Sequence, residues 1–133
     1  MKFKINFDHM PEYVLIQTDG EASSRDFDDL LTKIVDSPRW VFGTSQLVDH
    51  RKLMMDNLTS DDIQRIKYIV KKHIKKLGGG PCAFVIKDVL GFGIARMYEL
   101  ISGESIHLEV RVFYSINEAV EWLKQLKQLN REA

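Results

Sequence analysis

Residues 91–123 read GFGIARMYELISGESIHLEVRVFYSINEAVEWL, and their order decides the fold. The stretch reads as helix, strand, helix. Ala95-Arg96-Met97 sits inside the first helix, Glu109–Phe113 alternates as a strand, and Ser115 caps a helix carrying Trp122-Leu123. Working back, Cys82–Ile86 (CAFVI) is a continuous apolar run, the pattern of a strand buried on both faces. Gly78-Gly79-Gly80-Pro81 stops the helix before it, because glycine takes the left-handed conformation and proline cannot continue a helix. Thr59 caps that helix, Asp61 and Asp62 occupy its first turn, and Ile63, Ile66, Val70, Ile74 and Leu77 form its buried stripe, with Ile69 beside it. A third strand, Ser45–Asp49 (SQLVD), and a loop, His50–Leu58, lead into it.

Nearer the N-terminus, Ser23 or Ser24 caps a helix whose apolar positions are Phe27, Leu30, Leu31, Ile34 and Val35, and Pro38 ends it. Tyr13–Thr18 (YVLIQT) is a strand ended by Asp19-Gly20. Phe3, Ile5 and Phe7 alternate with Lys4 and Asn6, a half-buried strand close enough to the next to pair antiparallel with it. From residue 12 onward strands and helices alternate, which implies parallel strands joined by right-handed crossovers. The expected fold is therefore α/β. It has a five-stranded, mostly parallel sheet with an antiparallel first strand and four helices, in one domain over residues 1–133. No internal repeat, low-complexity tract or linker interrupts it.

Composition narrows the function. The chain has 133 residues, 44% hydrophobic and 29% charged, the profile of a soluble globular domain able to bury its own core. Its 19 basic and 19 acidic residues balance, so no net field draws it to nucleic acid or membrane. The single cysteine, Cys82, excludes an internal disulfide and a multi-cysteine zinc site, and its apolar setting predicts a buried structural thiol. No signal-peptide core follows Met1-Lys2-Phe3-Lys4, and no run approaches the roughly 18 apolar residues of a membrane span. The expected compartment is the cytoplasm.

The chemistry-bearing residues are scattered. Asp49 and Arg51, two apart at a strand's end, can point the same way. They suit a polar headgroup beyond the carboxyl ends of the strands, or an ion pair that holds the loop. Arg96 can pair with Asp49, bind an anion with Arg51, or serve structure. Leu90 and Phe92, on an apolar loop Leu90–Gly93 that holds two glycines, suit a lid over a pocket, a membrane anchor, or simple core packing. Met54, Met55 and Met97 offer adaptable apolar lining. Gly91 and Gly93 alone make no dinucleotide fingerprint. Arg65, Lys67, Lys71, Lys72, Lys75 and Lys76 crowd the second long helix against Asp61 and Asp62. Lys71, Lys72, Lys75 and Lys76 suit an anionic membrane surface or a solvated face. No nucleic-acid-binding motif accompanies them. His9, His50, His73 and His107 match no metal pattern. Helix capping accounts for Thr59 and Ser60, which are otherwise open to phosphorylation.

The order and spacing of several segments resemble the SpoIIAA-like (STAS/SEC14-type) family of small bacterial proteins. They are Asp19-Gly20, Trp40, Asp49-His50-Arg51, Gly91–Met97, and Val112-Phe113 with Ala119, Trp122 and Leu123. The likeness covers nearly the whole chain. It implies a non-catalytic module. STAS domains bind partner proteins, nucleotides or lipids, and the small SpoIIAA-like proteins are thought of as carriers of nonpolar molecules that touch membranes. The sporulation-type members carry a phosphorylatable serine in an Asp-Ser-Ser/Thr-Gly turn. That element is missing from residues 49–60 here, which counts against a phosphoswitch.

The expectation is a module without catalytic residues, cofactor or metal that binds a nonpolar or amphipathic small molecule, with transient membrane contact. The alternative is a protein-interaction regulator that meets its partner through residues 49–60. The open edge near residues 3–7 allows a homodimer. No nucleophile–base pair or paired carboxylates can be placed from spacing.

Overall fold

The structure, a computed structural model, describes residues 1–96 and 109–132. Its sheet has five strands in sequence order, β1 (Lys2–Asn6), β2 (Val14–Glu21), β3 (Gln46–Met54), β4 (Cys82–Val85) and β5 (Val110–Phe113). β1 is antiparallel to β2, and every later neighbour is parallel. Helices α1 (Ser24–Asp36) and α2 (Ser60–Leu77) pack together over one face. A third helix, α3, is described over residues 89–96. α4 (Ile116–Glu132) covers the other face.

Strand alternation sorts the core into two layers. Val14, Ile16, Val48, Cys82 and Val110 meet α1 and α2. Leu47, Ala83 and Val85 meet Ala119, Trp122 and Leu123 of α4. A smaller cluster of Ala22, Leu53, Met55, Ile86 and Ala95 closes the carboxyl end of the sheet, where α3 sits.

The helix ends follow their sequence signals. Ser23 is the α1 cap and accepts from the Asp26 amide. Thr59 and Asp62 form a reciprocal capping box on α2, and Gly78 ends it with φ +96°. One position in the α2 stripe differs from expectation. His73 is fully buried where Ile74 was expected, with Ile74 only half-buried. His73 Nε2 lies 2.7 Å from Asp28 Oδ1 of α1. That bond, then Lys72 at 3.2 Å, holds the Asp28 carboxyl below the usual range. An ionised carboxylate only accepts, so Nε2 carries the proton.

Two segments are more regular than the sequence suggests. β3 does not stop at Asp49. It runs through His50–Met54, because β2 also continues past Asp19-Gly20 and pairs with it, Gly20 opposite Leu53 and Glu21 opposite Met54. Main-chain groups that a loop would leave to water are thereby satisfied. The register slips once, with Gln17 opposite Asp49 but Asp19 opposite Lys52, so β3 carries one extra residue. The second segment is the expected lid. Leu90–Gly93 is the first part of α3, not a loop. Asp88 caps that helix, since its Oδ1 accepts from the Gly91 amide and its carbonyl from the Phe92 amide, each at 2.9 Å.

Candidate functional site

Two adjoining spaces meet at the carboxyl end of the sheet. The first is an apolar cavity of about 90 Å³ between the sheet and α1–α2. Ile16, Val48 and Phe84 form its floor, Leu30, Ile66 and Val70 its roof, and Ile94 and Ala95 of α3 one end. The second is an open cleft of about 510 Å³ lined by Arg51, Lys52, Met54, Lys87, Asp88 and Leu90 among others. His50 and Met55 line both, so these two residues form the partition.

The slip in β3 builds that partition. Without it, Lys52 and Met54 would follow Val48 and His50 onto the helix-covered face. With it, Lys52 and Met54 are exposed, Leu53 and Met55 are buried, and Met55 joins Val48 and His50 around the cavity. The expectation that Met54 and Met55 both line an apolar pocket is thus half corrected. Met55 does, whereas Met54 is 57% exposed on the outer cleft. Met55 has room because Gly91 faces it. A methyl group on Gly91 would sit 3.1 Å from Met55 Cε.

His50 is buried and sits edge-on to Phe27 and tilted against Phe84. Burial pushes its imidazole down to about 4, against the opposing pull of the Asp49 charge. Its Nδ1 lies 2.6 Å from Thr18 Oγ1, which is also 3.3 Å from the Asp49 carbonyl. The hydroxyl has one proton to give. If it goes to the carbonyl, Nδ1–H donates to Thr18 and Nε2 is a bare acceptor. If it goes to Nδ1, Nε2–H is a donor. Either way Nε2 has no partner among the described residues.

Asp49 and Arg51 are engaged with each other. Arg51 Nε reaches Asp49 Oδ1 at 2.9 Å and Nη2 reaches Oδ2 at 2.8 Å, a bidentate pair. Burial alone would raise the Asp49 pKa. The hydrogen bonds and charge of Arg51 outweigh it and hold the carboxyl below the usual carboxylate range. Arg51→Met is therefore expected to lose about 1–2 kcal/mol at neutral pH, a discounted figure because Arg51 is half exposed. Removing Asp49 as well, as Asn, should recover part of that loss. Urea titration of the two variants checks the order, and an Arg51→Met protein as stable as wild type would contradict it.

Three other expectations change. Arg96 lies exposed on α3, and of the readings open to it the pairing with Asp49 meets a carboxylate already held by Arg51. Phe92 is half-buried and stacks on Tyr114 at 5.1 Å, while Leu90 alone of the expected lid pair lines the cleft, 54% exposed. The α2 lysines do not border the site. α2 starts at the cleft end and its 18 residues span about 27 Å, so Lys71, Lys72, Lys75 and Lys76 lie toward the opposite end of the sheet. Lys72 is also paired with Asp28. Met97 and His107 fall outside the described residues. Cys82 lines the cavity, and burial raises its thiol to about 12, a neutral structural group.

The residues that sequence reasoning missed are Gln46, Thr18 and His50 as a buried polar set. The signal was present, because Gln46 and His50 share a strand face with Val48, a face expected to be buried. Among the described residues no group of three or more His, Cys, Asp or Glu side chains is placed to hold a metal. No helix among them is long and apolar enough to cross a membrane.

No protein-family model matches the chain, and no curated protein matches it. Among solved structures it is similar to a protein from Shewanella loihica PV-4, described as uncharacterized, of the DUF3478 family and with a SpoIIAA-like fold. The TM-score is 0.60 at 17% identity, over 91% of this chain and 93% of that one. The chain therefore has a SpoIIAA-like α/β fold, a five-stranded mixed sheet with four helices.

Proposed function

We propose that this protein is a non-catalytic binder of amphipathic small molecules, with the apolar part of the ligand in the cavity and its polar part in the cleft. The observation that supports this reading is the shared wall. An apolar space and a polar one meet at His50 and Met55, which line both. The cavity, at about 90 Å³, is smaller than the ~150 Å³ that admits benzene in an engineered core, so an alkyl chain is accommodated by moving a wall. Met55 suits that part, being unbranched and packed by its tip against Gly91.

The cleft lining balances three basic groups (Arg51, Lys52, Lys87) against three acidic ones (Asp19, Asp56, Asp88). A zwitterionic or neutral polar head fits that balance better than a polyanion. Exposed Met54 and Leu90 on the cleft, with exposed Val89 next to Leu90 in sequence, supply the apolar surface through which it would touch a membrane, and the distant α2 lysines would not take part. The partner-binding alternative has less support, since Asp49 and Arg51 of the segment it uses are bonded to each other.

Native mass spectrometry of freshly purified protein, beside denaturing lipid extraction, tests the reading. A co-purifying amphiphile is expected, and its loss in Val70→Phe, which fills the cavity from the α2 side, would tie it to this space. A protein that carries nothing and binds no amphiphile when titrated would end the carrier reading. So would a folded Val70→Phe that binds as well as wild type.

A further inference from the structure

Gln46 sits at the inner end of the cavity, on the same face of β3 as His50 and four residues before it. It is 5% exposed. Its main-chain amide donates to the Pro81 carbonyl at 2.8 Å, but its carboxamide has no hydrogen-bond partner among the described residues. A buried amide without partners is costly, and native proteins keep one only where something pairs with it. Around it the cavity wall is Val48, Val70, Leu77 and Cys82, with no ionised side chain. At the other end, His50 Nε2 is also unpaired. Four strand residues separate the two by about 13 Å.

We propose that the ligand is a linear molecule with polar groups at both ends. Its head lies in the cleft, its apolar middle crosses the cavity past His50, and a neutral hydrogen-bonding group at its buried end pairs with the Gln46 carboxamide. This rests on the binding function proposed above and specifies the ligand class. The buried group is neutral because a charge there would meet no counter-charge. A hydroxyl or primary amide fits, since the carboxamide both donates and accepts. A simple fatty acid does not, because its methyl end would leave Gln46 unpaired.

The test compares octanoate with its ω-hydroxy analogue by calorimetry, while the Gln46 side-chain NH₂ resonances are followed by NMR. The expected result is about tenfold tighter binding of the hydroxy analogue, with the Gln46 resonances shifting for that ligand. Gln46→Leu should abolish or invert the preference. Gln46→Met, which keeps the side chain's length, serves where the leucine variant does not fold. Equal binding of both ligands by wild type would overturn the proposal and leave the carrier function standing, as would a preference that survives in the Gln46 variants. Water alone would then satisfy the carboxamide. Binding of neither ligand would remove the carrier function itself.

Discussion

Gly78→Ala is expected to lower stability by about 3 kcal/mol, one of the two largest effects foreseen for a single substitution. Two penalties combine at this residue. Its φ of +96° is left-handed, a conformation that costs a residue with a Cβ roughly 1–2 kcal/mol. The new methyl would also run into the amide nitrogen and Cα of Gly43, with Phe42 Cδ1 only 3.0 Å away. Gly43 cannot step aside freely, because its amide donates to the Leu77 carbonyl at 2.8 Å in the last turn of α2. For a chain of this length the loss corresponds to a fall in Tm of about 10 °C. Gly93→Ala is the contrast. It lies in α3 with nothing within 4 Å of the added methyl, so stability should rise by up to about 1 kcal/mol. Thermal melts of the two variants should move in opposite directions. A Gly78→Ala protein within 1 kcal/mol of wild type would mean that the backbone contact is not held in solution.

The second large effect is a loss of stability in mild acid caused by His50. Its folded-state pKa is about 4, against 6.5 when unfolded. A depressed pKa means that the unfolded chain binds the proton more readily. The stabilising contribution is therefore fully present above pH 6.5 and is lost as pH falls toward 4. Between pH 7 and pH 5 the wild type should lose about 2 kcal/mol from this residue, at 1.36 kcal/mol per unit. Asp49 acts in a lower window, since its stabilising effect is present above its unfolded value near 4 and fades only below that. His50→Phe keeps the ring and removes the proton site, so its denaturation midpoint should be flatter between pH 7 and 5. Parallel slopes for wild type and His50→Phe over that range would show that the imidazole is solvated rather than buried.

Why some features were legible and others were not is itself physical. The succession of strands and helices along the chain, the antiparallel first strand and the caps at Ser23, Thr59 and Ser115 follow from local periodicity and from short-range hydrogen bonds. Asp88 was missed because its helix opens with Val89, Leu90 and Gly91, residues that also suit a loop, and the capping bond reaches only three residues ahead. The continuation of β3 was missed because residues 50–54 look polar, and only the matching extension of β2 keeps them in the sheet. Of the candidate site, Arg51, Met54, Met55 and Leu90 do come together at one cleft. The α2 lysines do not, because a helix that returns antiparallel to its strands carries its last turns away from their carboxyl ends.

The extra residue in β3 fixes a parity. On either side of it, inward and outward positions of β3 follow opposite phases, while β2 alternates without interruption and Arg51 and Lys52 face solvent. Deleting Arg51 would remove the slip and its extra residue together, so Lys52 would stay opposite Asp19 and Met55 would stay turned inward, and the wall between cavity and cleft would keep its facing. Within the SpoIIAA-like fold of this chain, the facing of the strand beyond the slip is thus set by its pairing with β2, and one solvent-facing residue can be lost there without turning that strand over.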